Sequence, residues 1–130
     1  MTKRDLMDKY PISVLKIAKD STIFKTVDEI LAHLKSKIDI HPVATFIAIF
    51  DHYTHTSNLN NGEIADDILD AKNIICCFGK QLPDPTLISV RPRAIGVAEM
   101  SDKFVVSFID APNPQAHDAM VLWVKSIVNK

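Results

Sequence analysis

The chain has 130 residues, 47% of them hydrophobic and 24% charged, with a formal net charge of −1 from 15 basic and 16 acidic side chains. That length fits one domain able to bury roughly two-thirds of its unfolded surface, and the balance excludes a disordered chain. A nucleic-acid partner is not expected either, because the longest basic grouping, Arg91-Pro92-Arg93, is too short for a phosphate track.

The chain opens on Met1-Thr2-Lys3-Arg4-Asp5, without a secretory pattern. No apolar run approaches the roughly 20 residues of a membrane span. A cytoplasmic protein without a membrane partner is expected. Cys76 and Cys77 are adjacent, a spacing too strained for a ready disulfide, and on a strand they point to opposite faces.

Residues 1–130 are expected to form a single α+β domain, with residues 1–11 a polar leader ending at Pro11. Ile12 to Ala18, rich in branched residues, reads as a strand. Thr26-Val27-Asp28-Glu29 is a capping box: a Thr at the N-cap and a Glu three residues on. Val27, Ile30, Leu31, Leu34 and Ile38 follow at helical spacing, and Pro42 ends that helix. Val43 to Phe50 reads as a strand apolar on both faces, the pattern of a central strand. Asn58 to Gly62 is turn material, and Glu63 to Asp70 is expected to hold a short helical turn.

Asn73 to Phe78 reads as a second buried strand, followed by the stiff loop Leu82-Pro83-Asp84-Pro85. Ala94 to Met100 and Phe104 to Ile109 read as a hairpin about Ser101-Asp102. Ala94, Gly96 and Ala98 leave one face of it small enough for a helix to approach closely. Asn113 as cap and Pro114 at the first position start a last helix. Its stripe is Ala116, Met120, Trp123, Val124 and Ile127, widened by Val121, Leu122 and Val128. That width predicts a helix held between the sheet and a partner chain. The order predicts a mainly antiparallel sheet with two main helices packed on one face. The expected core includes Leu34, Phe46, Ile47, Ile49, Ile75, Cys76, Val97, Val106 and Trp123.

Several chemistries are excluded. Gly62, Gly79 and Gly96 are the only glycines and lie too far apart for a phosphate-cradling loop. There is no Gly-x-Ser-x-Gly elbow and no Cys-x-x-Cys pair. The remaining group is Asp51, His52 and His55, with His41 as an additional candidate. Imidazole binds metals and moves protons near neutral pH. If the strand runs on past Phe50, Asp51 and His55 share a face and His52 looks away. If it turns at Tyr53, all three converge. His33 lies off its helix stripe and reads as solvated, His117 as hydrogen-bonded beside Asp118, and both cysteines as small hydrophobes.

Several strings resemble the small bacterial proteins of the domain of unknown function 302 family. They are Thr26 through Leu34, Phe46 through His52, Ile74 through Gly79, Arg93 through Glu99, and Phe104 through Asp110. The resemblance implies an α+β fold and a homodimer, carries no activity or cofactor, and maps its polar pair onto Asp51 and His52. Together these readings lead to a homodimeric module that binds a small molecule or metal at Asp51, His52 and His55 without catalysis. The alternatives are a small enzyme using His52 or His55 as acid or base with Asp51 orienting it, or an interaction module using the apolar last helix.

Overall fold

Apolar alternation in six segments builds one sheet, and the computed structural model describes residues 1–129 of it and its helices. The elements run β1 (Thr2–Leu6), β2 (Tyr10–Ala18), α1 (Val27–Ile40), β3 (Thr45–Asp51), α2 (His52–Ser57), β4 (Asp70–Cys77), β5 (Arg93–Glu99), β6 (Lys103–Ile109) and α3 (Pro114–Lys125). The strand order is β1-β2-β6-β5-β4-β3, and every neighbouring pair is antiparallel. No helix among the described residues is long and apolar enough to cross a membrane.

α1 forms where the capping box foretells it. Thr26 Oγ1 accepts from the Glu29 amide at 3.0 Å, and Glu29 Oε1 accepts from the Lys25 amide at 3.2 Å. The first bond satisfies an amide that a helix start leaves without a partner, and the second ties Glu29 back to the residue before the cap. Val27, Ile30, Leu31, Leu34 and Ile38 are all buried. They pack with Met120, Trp123 and Val124 of α3 over Ile17, Ile74, Ile95, Val97, Phe104 and Val106 of the sheet. Both long helices therefore lie on one face, as an α+β layer requires.

Several expectations are corrected. Thr2–Leu6 is a strand, not a leader; the chain reverses through Met7 and Asp8, whose φ angles are 55° and 58°. Paired left-handed residues suit a hairpin, but turns of this type usually announce themselves with Asn or Gly. β3 is an edge strand rather than a central one. A register shift falls between Phe46 and Ala48, and the intervening Ile47 is 50% exposed, with Ile49 at 45%. Ile75 and Phe46 are only half-buried, whereas Leu34, Cys76, Val97, Val106 and Trp123 are in the core as expected. Residues 63–69 hold turns and no helix; the short helix is α2, earlier in the chain. The small residues Ala94, Gly96 and Ala98 face away from both long helices, since Arg93, Ile95 and Val97 take the buried phase. The outer side of α3 is polar apart from Leu122, so its apolar width serves this chain's own core.

Candidate functional site

The residues singled out in the sequence lie where β3 gives way to α2. Asp51 is the N-cap of α2: its carboxylate accepts from the Thr54 amide at 3.0 Å and from the Thr54 hydroxyl at 2.9 Å. Those bonds, the backbone one first, hold its pKa below the usual carboxylate value. Its other neighbour is the Lys72 ammonium at 3.8 Å, which also meets Asp28 of α1 at 2.6 Å. Asp51 therefore serves Thr54 and faces the helix side. His52 and His55 gather on the opposite side around the Phe50 ring, with centroids 4.6 and 5.4 Å from it. The fold thus brings the two histidines together and turns the carboxylate away from them. Among the described residues no three His, Cys, Asp or Glu side chains are placed to hold a metal ion.

The other histidines are structural. His41 Nδ1 accepts from the amides of Val43 and Ala44 at 3.1 and 3.0 Å, and its ring meets Phe78 and Trp123 edge-on. His33 is half-buried rather than solvated. Its Nε2 lies 2.7 Å from Ser126 Oγ, its ring lies against Phe24, and burial lowers its pKa.

At the opposite end of the sheet the structure holds a cavity of about 660 Å³, between the start of β5 and the start of α3. Register places it far from Asp51: Arg93 pairs with Cys76 on β4, whereas Asp51 pairs with Lys72. Phe78, Leu87, Val90, Ala111 and Pro112 supply apolar walls. Phe78 is fixed there by stacking on Trp123, with centroids 5.3 Å apart. Among the described residues Arg91 and Arg93 are the only charged side chains lining the cavity.

Arg93 is the unusual member. It occupies a core phase of β5 and is only 8% exposed. Its Nη1 donates to the Val90 carbonyl at 3.3 Å and its Nη2 to the Ile109 carbonyl, while Nε is buried without a partner. Neither arginine forms an ion pair among the described residues. Burial pulls the Arg93 pKa down, opposed by the Cys76 sulfur and by the negative charge of Asp110. A buried charge with hydrogen bonds but no counter-ion is costly, by several kcal/mol in proteins.

Arg91 Nη1 donates to the Gln81 carbonyl at 2.8 Å and steadies that loop. A methyl group on Gly79 would meet Arg91 Nη1 at 3.1 Å, so the missing side chain there leaves the guanidinium room. The first turn of α3 points its positive dipole end at the same space. Its amides are already occupied, however: Asn113 Oδ1 accepts from Gln115 at 2.8 Å and from Ala116 at 3.4 Å. The helix therefore contributes field, and the arginines contribute the charge.

Arg91-Pro92-Arg93 is too short to track phosphates, but the strand phase of its second arginine is informative. In Arg93-Ala94-Ile95-Gly96-Val97 the arginine falls in step with two buried aliphatics, and a charge in a core phase marks either a buried pair or a ligand site.

A family model described as Family of unknown function (DUF6858) matches residues 1–129. It is a family of unknown function, as the motifs suggest, but not the domain of unknown function 302 family. No curated protein and no solved structure gives a match.

Proposed function

We propose, on the premise that the chain belongs to the DUF6858 family of unknown function, that the protein is a binding module for a small organic anion. The ligand class is a carboxylate or phosphate carried on an apolar body, held without catalysis in the cavity between β5 and α3. One observation carries this reading: Arg93 is buried, has no counter-ion among the described residues, and lines a cavity whose other charged wall there is Arg91.

An anion there offsets the desolvation of Arg93 and meets the free donors of the Arg91 fork, the geometry suited to carboxylate and phosphate. The volume falls within the roughly 300–1,000 Å³ of small-molecule sites. Its mostly apolar lining with few polar groups is the usual pattern of such a site. Among the described residues the lining holds no His, Cys, Ser or carboxylate to act as nucleophile or base, which favours binding over turnover. On this reading the ligand sits at the arginines rather than at Asp51, His52 and His55.

Calorimetric titration with benzoate, benzamide, acetate and inorganic phosphate tests the reading. Benzoate is expected to bind more tightly than acetate, because its ring fills the apolar walls, and the neutral benzamide is expected not to bind. Arg91→Met is expected to weaken benzoate by about tenfold or more, equivalent to ~1.4 kcal/mol. Equal heats for benzoate and benzamide, or an unchanged affinity in both Arg91→Met and Arg93→Met, would overturn it.

A further inference from the structure

We infer that the open face of the sheet, turned away from α1 and α3, is the interface with a second copy of this chain. This goes beyond the anion site, which lies on the other side of the sheet among the helix-facing residues.

Strand register identifies the face. Ile12 stands opposite Ile109 across β2 and β6, while Ala94, Ile75 and Ala48 stand opposite one another across β5, β4 and β3. These five side chains are apolar, and the β1 partner of Ile12 is Arg4. Phe50 and Ile109 remain 39% and 45% exposed. Among the described residues the middle is bordered by His52 of α2 and left uncovered at Gly96, where a built Cβ would meet only Ser107, no closer than 3.6 Å. Beside Gly96, Ser107, Ala71 and Ala98 line a shallow well of about 170 Å³. In that well Asn73 Oδ1 is buried without a hydrogen-bond partner. A buried acceptor left without a donor costs about 1–3 kcal/mol, which a donor from a facing surface would recover.

Three features select a second copy as the occupant. The first is area. Six strands about 4.8 Å apart, each about seven residues long at ~3.3 Å per residue, span roughly 600 Å² in plan. The accessible surface of a pleated face exceeds its plan, which brings it near the ~800 Å² per partner of a stable interface. The second is self-complementarity. Aliphatic rows around a shallow well suit aligned sheet-on-sheet packing, and an isologous contact needs one face to fit itself. The third is charge. Arg4 and Lys16 lie on this face at the β1–β2 side, while the connection leaving the β3 edge carries Glu63, Asp66 and Asp67. A two-fold axis along the strands lays the β1 edge of one copy over the β3 edge of the other, setting basic against acidic. An axis across the strands would oppose like charges.

Sedimentation velocity with circular dichroism tests this on the full chain. The wild type is expected at 29 kDa, twice the chain mass of 14.5 kDa. Ile109→Lys and Phe50→Lys are each expected to sediment as monomers with unchanged circular dichroism. Leu122→Lys, on the outer side of α3, is expected to remain dimeric. Should Ile109→Lys fail to fold, Phe50→Lys, at the edge of the sheet, carries the test alone. A monomeric wild type at every concentration overturns the inference, as does a dimer that survives Phe50→Lys. Dissociation by Leu122→Lys alone would place the interface on α3 and overturn it as well. Benzoate titration of the monomeric variants reports on the anion site separately.

Discussion

The hydroxyl of Ser13, on β2, donates to the carboxylate of Asp110 at 2.8 Å, joining residues 97 positions apart. Ser13 is fully buried, and the Lys3 ammonium completes the group. Lys3 Nζ donates to Ser13 Oγ and to Asp110 Oδ2, each at 2.9 Å, and lies 3.2 Å from His117 Nε2. The cluster fastens β1 to the start of α3. Burial pushes the Asp110 pKa up, but hydrogen bonds from Lys3 and Ser13 outweigh it and leave the pKa below its ordinary value of 3.8. A depressed carboxylate stabilises the fold above its unfolded pKa and ceases to do so as pH falls through the folded one. Asp110→Ala is expected to cost about 1–3 kcal/mol at neutral pH, because it leaves the Ser13 hydroxyl unpaired. The variant is also expected to lose less stability than wild type as the pH is lowered below 3.8. Urea titrations at neutral and acidic pH check both; parallel pH profiles for the two proteins would refute the assignment.

The cap of α1 makes a second prediction. Thr26→Ala removes the acceptor of the Glu29 amide and is expected to cost about 0.5–2 kcal/mol. Thr26→Ser keeps an oxygen in the same place and is expected to cost much less. Coincident denaturation midpoints for the Ser and Ala variants would show that the hydroxyl does not cap the helix.

A third prediction separates the middle of the sheet from its edge. Ile74 is fully buried on β4, so Ile74→Ala is expected to cost about 2–5 kcal/mol through lost burial and a residual cavity. Ile47, half exposed at the β3 irregularity, is expected to cost less than about 1 kcal/mol when changed to Ala. Similar costs for the two variants in guanidinium titrations would mean that β3 is covered in solution.

Cys76 makes the fourth. Burial first, and the neighbouring Cys77 second, push its thiol from an ordinary value of 9.0 up to about 11. The native state then keeps a proton that the unfolded chain releases. The contribution is fully present below pH 9.0 and is lost as pH rises toward 11. Two units correspond to about 2–3 kcal/mol. Cys76→Ala is expected to be less stable at neutral pH through lost packing, but to show a smaller decline between pH 9 and 11. Thermal melts across that range measure it, and identical declines in both proteins would exclude Cys76 as the titrating group.

Local structures with local causes are legible along the chain. The capping box and the spacing from Val27 to Ile38 place α1, Asn113-Pro114 starts α3, and alternation locates β2, β5 and β6. Those patterns depend on residues one to four positions apart, and they suffice for the α+β class with both long helices on one face. What they leave open is which strand neighbours which. The apolar run from Val43 to Phe50 is compatible with a central or an edge strand, and only the order β1-β2-β6-β5-β4-β3 puts it at the edge. The reversal at Met7 and Asp8 lacks a turn signature, so β1 becomes visible only through its pairing with β2.

The candidate site divides the same way. Asp51, His52 and His55 could be picked out as a polar cluster after an apolar strand. Whether they converge depended on where the backbone turned, and Asp51 turned to cap α2. The phase of Arg93 was legible along the chain, but its lack of a counter-ion was not. Ile109, Pro112 and the start of α3 reach it only because β6 lies beside β5 and carries the chain back over the same end of the sheet. Local sequence specifies dihedral angles and faces. Cavities, counter-ions and uncovered surfaces arise from contacts between segments distant in the chain, and the folded sheet alone brings those together.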